Sequence, residues 1–332
     1  MTTTQATTPG ATALVIGHLV ALATIIVWGV TFISTKILLE DFTPVEILVL
    51  RFLLGWLALW AVCPHALVVT NRRDELLFAV AGLSGVSLYF LLENVALTLT
   101  FAANVGVIVA VAPFFTALLA WRFLGGARPG PAFLAGFVAA ITGIACISGS
   151  GSEFSLNPAG DVLALLAALS WAVYSIVVRM LAARGYGSLP ATRRIFFYGL
   201  VCLLPILPFT GFSLRPEALL RPANWANLLF LGLAASALCF VTWTYCVRLL
   251  GAVKASLYIY LVPVVTVLAS ILVLHEQVTW LSGAGMSLTL AGLLISERGA
   301  GRVREKEVGG EARLPPGGKP DGRRDGQAEG QA

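Results

Sequence analysis

The sequence predicts an all-α integral membrane protein of about ten transmembrane helices, arranged as two inverted five-helix repeats. Three observations carry that prediction. Charge is scarce: 58% of the 332 residues are hydrophobic and only 12% charged, against roughly a quarter charged in soluble domains. Apolar stretches of about 20 residues, enough to cross a ~30 Å hydrocarbon core, recur between short polar breaks, and mean hydropathy is +0.87. The third observation is a likeness between the two halves of the chain.

The breaks define the spans. The first covers Leu14 to Ile37 and the second Pro44 to Val62. The third runs from Glu75 to Thr98, the fourth from Ala102 to Leu124 and the fifth from Pro131 to Ile147. The sixth covers Asp161 to Leu181, the seventh Arg194 to Gly211 and the eighth Trp225 to Leu249. The ninth covers Lys254 to Leu274 and the tenth Trp280 to Ser296. The chain thus divides into an N-terminal cytoplasmic segment (1–13), a first repeat (14–150), a second repeat (158–298) and a tail (299–332). The tail is rich in Gly, Pro and mixed charge, a composition that buries no core and predicts disorder. The opening residues MTTTQATTPGATA hold no Lys or Arg, so the first span reads as a retained helix and not a signal peptide.

Basic residues set the orientation. With the N-terminus in the cytoplasm, the inward loops carry Arg72, Arg73, Arg122, Arg128, Arg179, Arg184, Arg193, Arg194, Arg248 and Lys254, and the outward loops only Lys36, Arg215 and Arg221. Eight further Lys/Arg between Arg298 and Arg324 also fall inside. The expected location is therefore the inner or plasma membrane, with both termini cytoplasmic. The net charge of +5 sits in loops and tail, which argues against a nucleic-acid surface. The five cysteines all lie in apolar stretches, and no Cys/His spacing suggests a disulfide framework, a metal or a cofactor.

The halves align in register. VWGVTFISTKIL around Trp28 matches SWAVYSIVVRML around Trp171, and VAPFFTALLAW around Pro113 matches LVPVVTVLASI around Pro263. Gly136 and Gly143 match Gly285 and Gly292, and the offsets run from about 143 to 150 residues. A five-helix unit is odd, so its second copy must enter the membrane upside down, as in many secondary transporters.

These residues resemble the EamA-type, ten-helix members of the drug/metabolite transporter superfamily. The resemblance rests on Trp28-Gly29, on Pro44, Glu46, Arg51 and Phe52, and on Asn94, Ala96 and Leu97. It also rests on Pro113, Pro263 and Glu276, and covers about residues 14 to 298. One departure is visible: Gly125-Gly126 stands where first repeats often carry an acidic residue, which leaves that role to Glu276 alone. The resemblance implies two five-helix halves around a central cavity, with the fifth and tenth helices peripheral.

Polar groups at membrane depth are costly, so they should face protein or water. Glu93 is the strongest single candidate, sharing a helix face with Tyr89 four residues earlier. It reads either as a cavity carboxylate for a cation or proton, or as a structural hydrogen-bonding group. Asn94 adjoins it. Trp28 and Trp171 lie mid-helix in repeat-related positions, and would line a substrate site with Thr31, Phe32, Tyr174 and Ser175. Trp243 and Tyr258 are further substrate-binding candidates, with packing as the alternative for every aromatic. Arg51, Pro113, Pro263 and Glu276 read as gating or structural. The expected partners are the lipid bilayer, a small-molecule substrate and, through Glu93, protons.

The expected function is a secondary transporter that exports small metabolites such as amino acids or related compounds by alternating access. The alternative within transport is an exporter of aromatic or cationic drugs, since Trp and Tyr faces bind cations. A channel and an intramembrane enzyme are other classes. No Walker motif is present, and none of His18, His65 and His275 neighbours a plausible nucleophile.

Overall fold

The computed structural model describes residues 11–69, 71–126, 128–148, 158–213, 215–276, 278–281, 283–292 and 294–295. The expected disordered tail, most of the N-terminal segment and the polar stretch at 149–157 lie outside the described residues.

Helix α1 spans Ala11–Leu38 and α2 spans Pro44–Val62. Helices α3 and α4 cover Arg72–Leu99 and Ala102–Leu124. Helices α5, α6 and α7 are Pro131–Ser148, Pro158–Ala183 and Ser188–Leu203. Helices α8 and α9 cover Pro222–Leu250 and Ala252–Leu274, and α10 lies within 280–295. Seven of these (α1, α2, α3, α4, α6, α8 and α9) are long and apolar enough to cross a membrane, and α5 holds a shorter apolar stretch, Pro131–Cys146. No strand occurs among the described residues.

Most expected spans differ from these helices by a few residues at their ends. The seventh differs most. It starts at Ser188 and ends at Leu203, where the expectation was Arg194 to Gly211. Pro205 and Pro208 explain the early end, because each lacks an N–H and disfavours helix in the residue before it. Arg193 and Arg194 therefore lie within the first turns of α7. Arg193 donates to the carbonyls of Cys63 and His65, and Arg194 pairs with Glu75 on α3.

Local sequence explains several helix ends. Thr43 caps α2, with its hydroxyl accepting from the Glu46 N–H and the Glu46 carboxylate accepting from the Thr43 N–H at 2.8 Å. Pro44 sits at the first helical position, where a missing N–H costs nothing. The other Glu46 oxygen accepts from the Ser213 N–H at 2.9 Å, so Glu46 is a capping residue. Gly125 ends α4 at φ 65°, a left-handed conformation that suits glycine.

The halves pack reciprocally. A Cβ on Gly143 of α5 would lie 2.5 Å from the Gly285 carbonyl of α10, and one on Gly292 of α10 would lie 2.5 Å from the Gly136 carbonyl of α5. Gly55 of α2 meets Gly232 of α8, and the repeat-related Gly199 of α7 meets Gly82 of α3. Small residues let helices approach closely where lipid offers no hydrophobic drive between them. The helix ends obey the same relation. Lys36 at the end of α1 donates to the carbonyls of Leu97 and Thr100 at 2.8 Å each, while its counterpart Arg179 at the end of α6 donates to the Arg248 carbonyl at 3.2 Å.

Four irregularities fall in repeat-related pairs. A π-helical segment, Leu83–Leu88, follows Gly82 in α3, and another, Phe230–Leu238, follows Leu229 in α8. Helix α4 breaks into a turn at Ala110 and Val111 before Pro113, and α9 tightens to 3₁₀ over Leu257–Leu261 before Pro263. The proline explains each of the second pair, since residue 113 or 263 cannot donate to the carbonyl four residues earlier.

Candidate substrate cavity

The irregular stretches of α4 and α9 meet α1, α3 and α6 around one cavity. Trp28, Thr31 and Phe32 come from α1, and Tyr89, Phe90 and Glu93 from α3. Val109 comes from α4, Trp171 from α6, and Ile259 and Val262 from α9. Among the described residues none of the lining comes from α5 or α10, in keeping with the peripheral place that the resemblance implied for them.

Aromatic rings form half of the wall. Trp28 and Trp171 meet edge to face with centroids 5.1 Å apart, across the two repeats. Tyr89 lies 5.0 Å from Trp171. The two indoles are held differently. Trp28 Nε1 donates to the Ala235 carbonyl at 2.9 Å, tying α1 to the π-helical part of α8. Trp171 Nε1 is buried with no hydrogen-bond acceptor, which leaves a donor at the wall.

Glu93 is the carboxylate of this wall. Only 1% of its surface is exposed, and neither carboxylate oxygen makes a well-formed hydrogen bond, although the Tyr89 hydroxyl is close enough to interact with it. Burying an ionised carboxylate without partners is expensive, so the position demands a counter-charge, a proton or a ligand. A counter-charge stands nearby. Arg51 of α2 is fully buried and attracts Glu93. Its Nε donates to Ser236 Oγ at 3.1 Å, its guanidinium stacks 4.2 Å from the Phe90 centroid, and its terminal nitrogens have no partner. Phe90 therefore has the cavity beside it and the guanidinium over its ring.

Six expected substrate-binding residues meet here: Trp28, Thr31, Phe32, Tyr89, Glu93 and Trp171. Five do not reach the wall. Trp243 and Tyr174 form a layer behind it, with Trp243 5.2 Å from Trp28 and Tyr174 4.9 Å from Trp171. Asn94 turns away and donates to the Pro44 carbonyl at 3.0 Å, fastening α3 to the start of α2. Ser175 donates to the Trp171 carbonyl one turn earlier at 3.0 Å. Tyr258 lies 2.6 Å from His18 Nδ1. Sequence reasoning missed Phe90, Val109, Ile259 and Val262. A signal existed for two of them: Val109 and Ile259 stand four residues before Pro113 and Pro263, where each proline removes a donor.

Glu276, expected as gating or structural, accepts from the Ala102 and Ala103 N–H groups at 3.1 and 3.3 Å. It thereby joins the end of α9 to the start of α4. The donor pair at a helix N-terminus favours a carboxylate. Its repeat counterpart, 150 residues earlier, is Gly126.

Comparison with known proteins bears on this architecture. The sequence model of the EamA-like transporter family matches the chain twice, over residues 15–149 and 158–297. A transporter of Archaeoglobus fulgidus, described as uncharacterized, is 29% identical over 84% of this chain and 96% of its own length. A "probable terminal-alkyne amino-acid exporter" of Streptantibioticus cattleyicolor is 32% identical over 86% of this chain and 95% of its own. A "probable amino-acid metabolite efflux pump" of Escherichia coli is 26% identical over 87% and 97%. One crystal structure superposes with a TM-score of 0.62 at 22% identity, over 86% of this chain and 98% of that one, a likeness of fold alone.

Proposed function

The chain belongs to the EamA-like transporter family, and from that premise we propose that it exports small amino-acid metabolites by alternating access through the cavity around Glu93. It is a multi-pass membrane transporter and not an enzyme. The observation that carries the proposal is the Glu93 carboxylate, buried with no well-formed hydrogen bond on a wall made mainly of aromatic and aliphatic side chains. A substrate ammonium would satisfy the carboxylate, while the rings of Trp28, Tyr89 and Trp171 would take an apolar side chain and its cation face. The relatives named for amino-acid and amino-acid-metabolite export favour the same substrate class for this chain.

In the proposed orientation both termini are cytoplasmic, as the distribution of Arg and Lys between loops favours. Protons would be the driving ion, exchanging at Glu93 when the substrate leaves. Glu93→Gln keeps the shape of the side chain and cannot titrate. In proteoliposomes, this variant should lose pH-driven accumulation. Counterflow should also fail if the carboxylate grips the ammonium, and should persist if the carboxylate carries only the proton. Normal pH-driven uptake by well-folded Glu93→Gln protein would remove Glu93 from the mechanism.

A second reading, export of aromatic or cationic drugs, draws on the same ring box. The charge next to Glu93 separates the two readings.

A further inference from the structure

Arg51 and Glu93 are a charged pair that the fold itself does not require. Arg51 of α2 corresponds to Ile195 of α7, in the register that relates Phe52 to Phe196. Glu93 of α3 corresponds to Trp243 of α8, in the register that relates Phe90 to Phe240. The second repeat thus builds the same packing with no charge at either position. Neighbouring buried charges elsewhere hold partners of their own: Glu46 caps α2, and Asp74 meets Arg184 and Tyr186. In the first repeat the guanidinium keeps its terminal N–H groups without acceptors, and the carboxylate, with Tyr89 as its neighbour, makes no well-formed hydrogen bond. No hydrogen bond joins them, although they attract each other.

We infer that Arg51 is a specificity-determining residue, whose fixed positive charge makes the cavity select a net-neutral, zwitterionic amino acid over an organic amine. This rests on the reading of the cavity as an amino-acid site. The reasoning is electrostatic. With Glu93 alone, the cavity would hold one negative charge and match a cation. With Arg51 beside it, the pair sums to zero, and a bound amine leaves one uncompensated positive charge in a poorly solvated interior. A zwitterion adds no net charge. Its ammonium faces Glu93, and its carboxylate lies in the positive field of Arg51 with the free Trp171 N–H as a donor. Arg51 acts here from behind Phe90, so its role is to set the field at the wall and direct contact is not needed.

The test is ligand preference in the full chain, purified in detergent and followed by tryptophan fluorescence. Three probes share one aromatic body: L-phenylalanine, 2-phenylethylamine and 3-phenylpropionate. Wild-type protein should bind phenylalanine tighter than either analogue by about tenfold or more, a factor that corresponds to ~1.4 kcal/mol. Arg51→Gln should reverse the order in favour of 2-phenylethylamine, and Glu93→Gln should reverse it in favour of 3-phenylpropionate. Arg51→Lys should keep the wild-type order, which a merely structural role for the guanidinium would not require. If Arg51→Gln fails to fold, Arg51→Lys and Glu93→Gln carry the test. Wild-type protein that binds the amine as tightly as the amino acid overturns the inference alone, as does an order unchanged in the neutral variants. If none of the three probes binds, the amino-acid reading of the cavity falls, and this inference with it.

Discussion

The two central tryptophans look alike in the sequence and do different work in the structure. Trp28 Nε1 has an acceptor, the Ala235 carbonyl, and Trp171 Nε1 has none. Phenylalanine at either position keeps most of the ring and removes the N–H. Trp28→Phe should therefore destabilise the protein by about 1 kcal/mol, the usual net worth of one hydrogen bond. Trp171→Phe should leave the unfolding temperature near wild type and weaken substrate binding. Thermal unfolding in detergent, paired with a binding titration, separates them, and equal destabilisation by both would return Trp171 to packing. At this scale the sequence showed the repeat-related pair and the buried carboxylate, because costly residue types at membrane depth stand out against an apolar background. It did not show that Asn94 and Ser175 spend their hydrogen bonds on the backbone of Pro44 and Trp171. A hydroxyl or amide in a helix can turn to a nearby carbonyl as readily as to a ligand, and composition does not distinguish the two.

Helix boundaries were legible within a few residues wherever Pro, Gly or charge punctuated the chain. The π-helical segments of α3 and α8 were not, because an inserted residue leaves no mark in an apolar run. Their positions make sense only once the crossings are known. A Cβ on Gly82 would lie 2.6 Å from the Gly199 backbone nitrogen. Gly82→Ala should accordingly cost about 1–3 kcal/mol, the range for overpacking a tight contact, measured as a fall in thermal stability. The prolines of α4 and α9 predict the opposite balance. Pro113→Ala and Pro263→Ala restore a backbone donor facing the Val109 and Ile259 carbonyls, so folded protein should persist while the transport rate drops. Wild-type rates in both variants would mean the breaks are fixed bends and not hinges.

A polar corner between α1 and α2 extends this to pH. Asp41 accepts from Asn224 at 2.8 Å and pairs with Arg221 at 2.7 Å. The Asn224 hydrogen bond, followed by the Arg221 charge, holds its carboxyl below the ordinary value of 3.8. A depressed carboxyl contributes stability above its unfolded value, and that contribution fades as pH falls through the folded one. Asn224→Ala should move the onset of this acid loosening to higher pH, read by tryptophan fluorescence. An onset unchanged by the substitution would show that the corner does not respond to Asp41.

The whole molecule was the most legible scale. Scarce charge, spaced apolar runs and marks repeated at offsets of 143 to 150 residues carry a two-repeat membrane fold without any fine detail. What the repeats could not convey is where they differ. Symmetry places Ile195 and Trp243 opposite Arg51 and Glu93, and Gly126 opposite Glu276. The charged pair near the cavity thus belongs to the first repeat, whereas the carboxylate that fastens α9 to α4, Glu276, belongs to the second. Under the proposed alternating access, that charged wall is exposed to each side of the membrane in turn. The most direct test is the accessibility of a cysteine at Thr31, a cavity residue 4% exposed, in a background lacking the five native cysteines. Thr31→Cys should react with a membrane-impermeant maleimide in both right-side-out and inverted vesicles, and the protein should remain impermeable to that reagent throughout. Reaction from one side only, or from neither, would contradict alternating access through this cavity.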